Sequence, residues 1–511
     1  MWGRLEFLRD RALTLATFAE RLARVHGIQP LVEEHGDGGL LRLGYDDAAS
    51  IVARWAGGLR GRVARGDRVV VALPNGYSVF LLVQAVTRVG AVAVPVNPQM
   101  RPQEIDHVVA DSGAEFVVRD TDELEGGEPA ASASVEPGDV AALLYTSGTT
   151  GRPKGAELTH RALLKGVTKA ALYPSRLRRD EAVSGMPVAH IAGFSLLLQL
   201  AAFGIPVYLL PRFRPDIALD AIEQRRATIF VGVPAMYRMM EDAGAETRDL
   251  SSVRLWASGA DAMPHGLARR FQKRGATAQV PIMRRPVGEA AFIDGYGMVE
   301  LGGGAAVKLL PPGLPLPITG AVGLPLPGYR MKIVDETGRV VPRGQVGELA
   351  VRGPGVMRGY HGHEEETRHT LSDDGWLRTG DLARRGRLGL IEFAGRKKDV
   401  IKHGGYSVFA AEVEGVLDEH PAILESAVVG LPDERKGEVP AAAVRCRTGA
   451  STSESELLAW AADRLAEYKT PQRIVFVDAM PRTATDKVRK SEITQLLTAQ
   501  YPVDREPLSG C

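Results

Sequence analysis

Cysteine is almost missing from this chain. Cys446 and Cys511 are the only two in 511 residues, too few for a disulfide framework, and such usage fits a reducing cytoplasmic setting. Charge of one sign is missing too. The 63 basic and 62 acidic side chains leave a formal net charge of +1, which argues against nucleic acid as a partner. No apolar leader is expected at the start, because Met1 to Arg24 carries a charge every few residues. One long uncharged run exists, the 21 residues from Ile191 to Pro211, long enough to span a bilayer. Gly204-Ile-Pro206 would break a helix there, and Gln199 lies inside it. The run is therefore read as a buried helix over 192–203 and a short strand at Val207-Tyr-Leu-Leu210, with no transmembrane span.

What is present is the composition of a soluble globular protein, 45% hydrophobic and 24% charged, in a chain long enough for two or more domains. Gly66-Asp-Arg-Val-Val-Val-Ala-Leu-Pro-Asn75 reads as a turn, a buried strand and a helix entry. A helix over Ser78 to Arg88 and a strand at Ala91-Val-Ala-Val-Pro95 follow, a βαβ unit with parallel pairing. The pattern recurs around Glu115–Val118, Ala227–Val231 and Val253–Ala257. Residues Thr121 to Asp139, acidic and rich in Ala, Ser and Gly, read as a surface linker. From about Gly320 short strands with turn signals predict a barrel-like antiparallel unit through Tyr329–Val334 and Val346–Val351. After Gly395 comes an α+β stretch. It has helices near Ala410–Asp418 and Glu454–Leu465, and strands near Ala427–Val429, Ala441–Val444 and Arg473–Val477.

The chemistry concentrates first in Tyr145-Thr-Ser-Gly-Thr-Thr-Gly-Arg-Pro-Lys-Gly155, which follows the apolar run Val140–Leu144. Three glycines and four Ser/Thr hydroxyls in eleven positions make a poor strand or helix and a good anion cradle. Arg152 and Lys154 add charge that can follow a polyphosphate. The spacing is not that of a Walker A loop. Further on, Ile293-Asp-Gly-Tyr-Gly-Met-Val-Glu300 sits after an expected strand. It offers an aromatic between glycines as a platform for a flat base, and a carboxylate able to hold magnesium.

The loop resembles the nucleotide-loop signature of the adenylate-forming superfamily, and the remaining segments follow in that family's order from Gly66 to Lys490. The branch it resembles is that of the AMP-dependent acid–CoA ligases, or acyl-CoA synthetases. The resemblance implies an α/β fold: a large N-terminal domain of two α/β layers plus a distorted β-barrel, about 1–397, and a small mobile C-terminal α+β domain, about 398–511, hinged near Lys398. It implies ATP, AMP, magnesium and coenzyme A as ligands. Thr146, Ser147, Gly148, Thr149, Thr150 and Lys154 become phosphate-binding positions, Thr146 also counting among the catalytic ones. Gly259 and Ala260, in Ala257-Ser-Gly-Ala-Asp-Ala-Met-Pro264, become a wall of the adenine and acyl pocket. Asp294, Gly295, Tyr296 and Gly297 become the adenine platform, with Tyr296 stacking and Glu300 holding the metal. His190, in Met186-Pro-Val-Ala-His-Ile-Ala-Gly-Phe194, takes the place beside the substrate carboxylate. Asp381 and Arg396 reach the ribose, Gly404, Gly405 and Tyr406 line the CoA tunnel, and Lys487 stabilises charge developing at the α-phosphate.

Two positions depart from the family pattern: Val299 stands where a threonine is usual, and Asp486 where a glycine is usual. Both fall on the half-reaction that makes the acyl-adenylate, so two readings stay open. One is a full ligase making acyl-CoA, AMP and pyrophosphate; the other is an enzyme that only thioesterifies a preformed acyl-adenylate. An amino-acid adenylation domain is disfavoured because Met186–Phe194 offers no acid for an amine. A luciferase-like enzyme or a non-catalytic nucleotide-binding protein are further alternatives. The pocket candidates His190, Phe194, Val231, Ala257, Gly259, Ala260, Gly302 and Gly303 are mostly small and apolar, which favours a hydrophobic acid.

Overall fold

The computed structural model describes residues 2–36, 39–97, 100–146, 152–173, 179–279, 285–313, 320–386, 389–483 and 488–500. The chain divides into two units. The first is Met1–Ile318 with Val322–Met331 and Val351–Leu377; the second is Thr319–Ala321, Lys332–Ala350 and Arg378–Cys511.

In the first unit the βαβ segments sort into two sheets. The smaller has the order Phe116–Val118, Arg68–Val71, Val92–Pro95, Val140–Tyr145, Gly155–Thr159. Its first four strands are parallel and the last returns antiparallel. Val70, Val94 and Leu143 fill its core, as expected of strands buried on both faces. The larger sheet has nine strands, in the order Leu324–Pro325, Gly303–Leu310, Ala291–Met298, Leu255–Gly259, Ile229–Gly232, Ala182–Ser184, Val207–Leu209, Pro30–Gly36, Gly39–Gly44. The strands from Ala291–Met298 through Pro30–Gly36 run parallel. Aromatics make up only 6% of the chain, yet Phe230, Tyr237, Trp256, Phe271 and Phe292 gather in one buried cluster behind this sheet. Ring centres as close as 4.9 Å make edge-to-face contacts there.

One expectation holds and one is refined. The uncharged run resolves into the helix Ile191–Phe203, Gly204 at φ +70°, and the strand Val207–Leu209. Among the described residues no helix is long and apolar enough to cross a membrane. The stretch 121–139 lies mostly at the surface, as expected, but is anchored at several points. Leu124 is fully buried, Ala130 N donates to Ala53 O at 2.9 Å, and Trp55 Nε1 donates to Glu125 at 2.8 Å. The helix Tyr45–Leu59 admits this backbone because Gly57 has no side chain; a Cβ there would lie 1.9 Å from Glu128 O.

His160 ties the N-terminal helix Leu15–His26 to the smaller sheet, accepting from Leu15 N at Nδ1, 3.1 Å away. Burial pushes its imidazole down to about 4. The unfolded chain therefore binds more protons than the folded one between about pH 4 and 6.5, and stability rises with pH across that window. We expect the thermal midpoint to fall on acidification through it. The loss is on the order of 3 kcal/mol, at about 1.36 kcal/mol per pH unit of difference, and His160→Gln flattens the profile.

The second unit contains most of a four-stranded sheet in the order Arg330–Val334, Val346–Arg352, Leu377–Arg385, Ile391–Arg396, in the stretch where short antiparallel strands were expected. Beyond the turn Lys397–Asp399 lies a five-stranded sheet built on the long hairpin Ile423–Asp433 and Gly437–Cys446. Alternation along it splits the core in two. Val428, Ala442 and Val444 pack with Val413, Leu417 and Leu457 of the helices Ala410–Asp418 and Glu454–Ala462. Ala427, Val429, Ala441 and Ala443 pack with Ile493 and Leu497 of Lys490–Gln500.

Candidate active site

The Gly/Ser/Thr-rich segment is flanked by two antiparallel strands of the smaller sheet, Val140–Tyr145 and Gly155–Thr159. Tyr145 pairs with Gly155; Thr146 N donates to Lys154 O at 3.0 Å, and Lys154 N to Thr146 Oγ1 at 3.4 Å. Ser147, Gly148, Thr149 and Thr150 lie outside the described residues. Lys154 Nζ stands 3.0 Å from Glu366 and 5.6 Å from the centre of the Tyr360 ring, so its charge is already partnered.

The segment Ile293–Glu300 was expected after a strand, but its residues through Met298 are themselves strand: Ala291–Met298 pairs parallel with Leu255–Gly259 and antiparallel with Gly303–Leu310. Gly259 sits beside Gly295, and Ser258 beside Asp294. Ala260, just past the strand end, holds φ +68°, a left-handed conformation that costs a non-glycine residue about 1–2 kcal/mol. Asp294 faces Lys308 directly across the antiparallel pair, 3.0 Å apart, both largely buried. Burial raises the Asp294 carboxyl above its ordinary range although Lys308 opposes the shift. Val231, Ala257 and Ile293 stand in one row across three parallel strands, on the face opposite Phe230, Trp256 and Phe292.

After Met298 the chain makes a tight turn, Val299–Leu301, that buries Glu300 to 7% exposure. Tyr360 Oη donates to Glu300 Oε1 at 2.8 Å, and Met357 N donates to Glu300 O at 2.8 Å. Burial, then the neighbouring Glu300, push the Tyr360 phenol upward, so it stays protonated and keeps donating. Val299 itself is buried.

His190 caps the helix Ile191–Phe203, its Nδ1 accepting from Ala192 N at 3.2 Å. A neutral ring so engaged carries its proton on Nε2. The helix packs against the next strand at Gly303, where Ile191 and Ser195 are the nearest side chains. Phe194 is fully buried, its ring centre 5.3 Å from that of Phe80.

In the second unit Asp381 and Arg396 are register partners on antiparallel strands, with Arg396 Nε 3.2 Å from Asp381 Oδ1 and the carboxylate 6% exposed. Gly404 and Gly405, at φ +55° and +83°, form the two-residue turn of the hairpin Val400–His403 and Tyr406–Phe409, a conformation that favours glycine at both places. Tyr406 beyond it is 58% exposed and stacks on Tyr468 at 4.5 Å. Lys487 lies outside the described residues, but its loop is pinned at both ends. Arg489 N donates to Pro481 O at 2.8 Å, Arg482 bridges to Val488 and ion-pairs with the buried Glu425.

The family model for AMP-binding enzymes matches residues 20–361, and that for the AMP-binding enzyme C-terminal domain matches 412–487. The chain belongs to the AMP-binding enzyme family. It is 35% identical over 474 residues to a feruloyl-CoA synthase from an Amycolatopsis species, covering 88% of this chain and 93% of that one. It is 33% identical over 453 residues to a 2-succinylbenzoate–CoA ligase from Bacillus cereus, covering 85% and 89%. Among solved structures, o-succinylbenzoate CoA synthetase from Bacillus subtilis with its acyl-adenylate intermediate superposes at a TM-score of 0.80. It is 26% identical, covering 93% of this chain and 97% of that one. The AMP-binding enzyme described here is thus an acid–thiol ligase of the acyl-CoA synthetase branch.

Several residues of this AMP-binding enzyme that contact the sequence-predicted positions carry no sequence signal of their own. Tyr360 and Lys308 reach Glu300 and Asp294 as described. Glu348, buried, takes both Arg378 Nε and Nη2, at 3.0 and 2.8 Å, and Gly380 N at 3.1 Å, next to Asp381. Lys165 buries its amine against Leu301 O and Gly302 O, and burial pushes that amine down to about 7. Tyr and Glu spacings had no motif to announce these pairs; they are made by tertiary contact.

Proposed function

We propose that this enzyme converts a hydrophobic, ring-bearing carboxylic acid, ATP and CoA to the acyl-CoA, AMP and pyrophosphate. In the first half-reaction a carboxylate oxygen bonds to the α-phosphorus while the α–β phosphoanhydride breaks, and pyrophosphate leaves. In the second the CoA sulfur bonds to the acyl carbon, AMP leaves with the electron pair, and the thiol proton goes to solvent. The observation that carries the reading is the buried Glu300 carboxylate, fixed by Tyr360, in a chain matched by both AMP-binding models.

The residues fit the ligands. Among the described residues no three His, Cys, Asp or Glu side chains cluster as a metal cage. Glu300 would hold magnesium, a hard cation that takes oxygen ligands, and the ion would neutralise phosphate charge. Asp381 accepts from the ribose hydroxyls and Arg396 steadies it. Thr146, the Ser147–Thr150 loop and Lys154 follow the phosphates. Gly259, Ala260 and Asp294–Gly297 flank the adenine, with Tyr296 stacked on it. His190 donates from Nε2 to the substrate carboxylate, Lys487 draws charge at the α-phosphate, and Gly404, Gly405 and Tyr406 line the path of the thiol. The two half-reactions are separated by movement of a domain of residues 398–511 about Lys398. The row Val231, Ala257, Ile293 holds no polar side chain, and its small residues favour a flat apolar body over a dicarboxylate. Feruloyl-CoA synthase, a relative named for an aromatic mono-acid, supports the same class. Cysteine usage supports a cytoplasmic location.

Pyrophosphate release with a panel of hydroxycinnamic, benzoic, fatty and polycyclic acids, Mg·ATP and no CoA tests this reading. It is run beside thioester formation from synthetic acyl-adenylates plus CoA. We expect release with an aromatic acid. Adenylates that yield acyl-CoA while every matched acid fails to release pyrophosphate would show the first half-reaction lost, with Val299→Thr the substitution to restore it.

A further inference from the structure

The turn that carries Glu300 ends on a buried lysine amine. Lys165 Nζ donates to Leu301 O at 2.5 Å and to Gly302 O at 2.6 Å, the last carbonyls of that turn. The amine also lies 5.4 Å from the centre of the Tyr329 ring, and the Tyr329 hydroxyl donates to the same Leu301 O at 3.0 Å. The surroundings are shaped around it: a Cβ at Gly355 would fall 2.4 Å from Nζ. A buried ammonium costs several kcal/mol in lost hydration unless its donors are satisfied, and here the satisfying groups are the carbonyls of one turn.

That turn holds a single ionisable side chain, Glu300. Its peptide is gripped on the C-terminal side by Lys165 and Tyr329, on its own carbonyl by Met357 N, and at its carboxylate by Tyr360. Three chain segments thus fix one carboxylate. We infer that Lys165 is a positioning residue for Glu300, setting the turn so that the carboxylate meets magnesium-bound ATP. The inference rests on the reading of Glu300 as the metal-holding residue. Lys165 belongs to none of the nucleotide motifs and lies 136 residues from Leu301.

The test is calorimetric. ATP binding is measured with and without magnesium for the wild type, Lys165→Met, Lys165→Gln and Glu300→Gln. Thioester formation from a preformed acyl-adenylate, a step without pyrophosphate chemistry, is followed in parallel. In Lys165→Met we expect magnesium's enhancement of ATP affinity to shrink by on the order of tenfold, as for groups that orient a metal ligand. Lys165→Gln, which keeps a donor for one carbonyl, falls between. Thioester formation stays within about twofold of wild type in both. Should Lys165→Met fail to fold, Lys165→Gln carries the same comparison. The inference is overturned if Glu300→Gln loses the magnesium enhancement while the Lys165 variants keep it, or if the Lys165 variants lose both readouts equally. If Glu300→Gln keeps the enhancement, the reading of Glu300 itself falls, and the inference with it.

Discussion

Lys487→Ala is expected to lower pyrophosphate release by on the order of 10²–10³, with thioester formation from a preformed acyl-adenylate changed no more than a few-fold. Negative charge builds on the non-bridging oxygens of the α-phosphate while the adenylate is being made and on the departing AMP oxygen in the second step, and a fixed ammonium helps only where charge develops beside it. At about 4 Å and an effective dielectric of about 20, one such pair is worth roughly 4 kcal/mol, close to three powers of ten in rate. The described residues on either side of Lys487 are held by Arg489 N on Pro481 O and by the Arg482–Glu425 ion pair, so removing the Lys487 side chain leaves those contacts intact. Asp486 precedes Lys487 in sequence and competes for its charge wherever the two meet. Asp486→Gly is accordingly expected to raise pyrophosphate release. Both half-reactions assayed on one preparation decide the matter: an equal loss in each removes Lys487 from the role assigned to it.

The parts of the site that could be read from sequence are those whose signal is local. Asp381 and Arg396 lie in separate motifs, yet strand pairing makes them register partners. The helix Ala410–Asp418 begins and ends where its apolar spacing places it. The strands after it run well past Ala427–Val429 and Ala441–Val444, because pairing continues through Pro432 opposite Glu438 and Pro440 opposite Gly430. Prolines are tolerated there because the ladder does not need their N–H. The stretch 121–139 is mostly exposed, as its Ala, Ser and acidic residues imply, but the seat that Gly57 on a distant helix opens for its backbone leaves no local signal. Tyr360 on Glu300 and Lys165 on Leu301 are separated by 60 and 136 residues. A contact of that range leaves no periodicity and no spacing to find.

Asp381→Asn tests the other end of the nucleotide and should separate from Lys487→Ala by damaging both half-reactions. The ribose is common to ATP and to the acyl-adenylate, so a group that holds it is used twice. Asp381 is 4% exposed and faces Arg396 at 3.2 Å. Asparagine keeps the volume but replaces one acceptor oxygen with a donor and leaves the guanidinium without its counter-charge. A hydrogen bond to a charged group contributes about 1.5–3 kcal/mol, so kcat/KM for ATP and for the adenylate should each fall by on the order of 10–10². Calorimetric affinity for AMP should fall by a similar factor, and the thermal midpoint should hold, since the substitution leaves the sheet's backbone pairing untouched. A loss confined to pyrophosphate release would mean that Asp381 serves the phosphates and not the sugar. Because Asp381→Asn weakens a shared handle and Lys487→Ala a transient charge, the pair of variants separates binding from chemistry whatever acid the enzyme prefers.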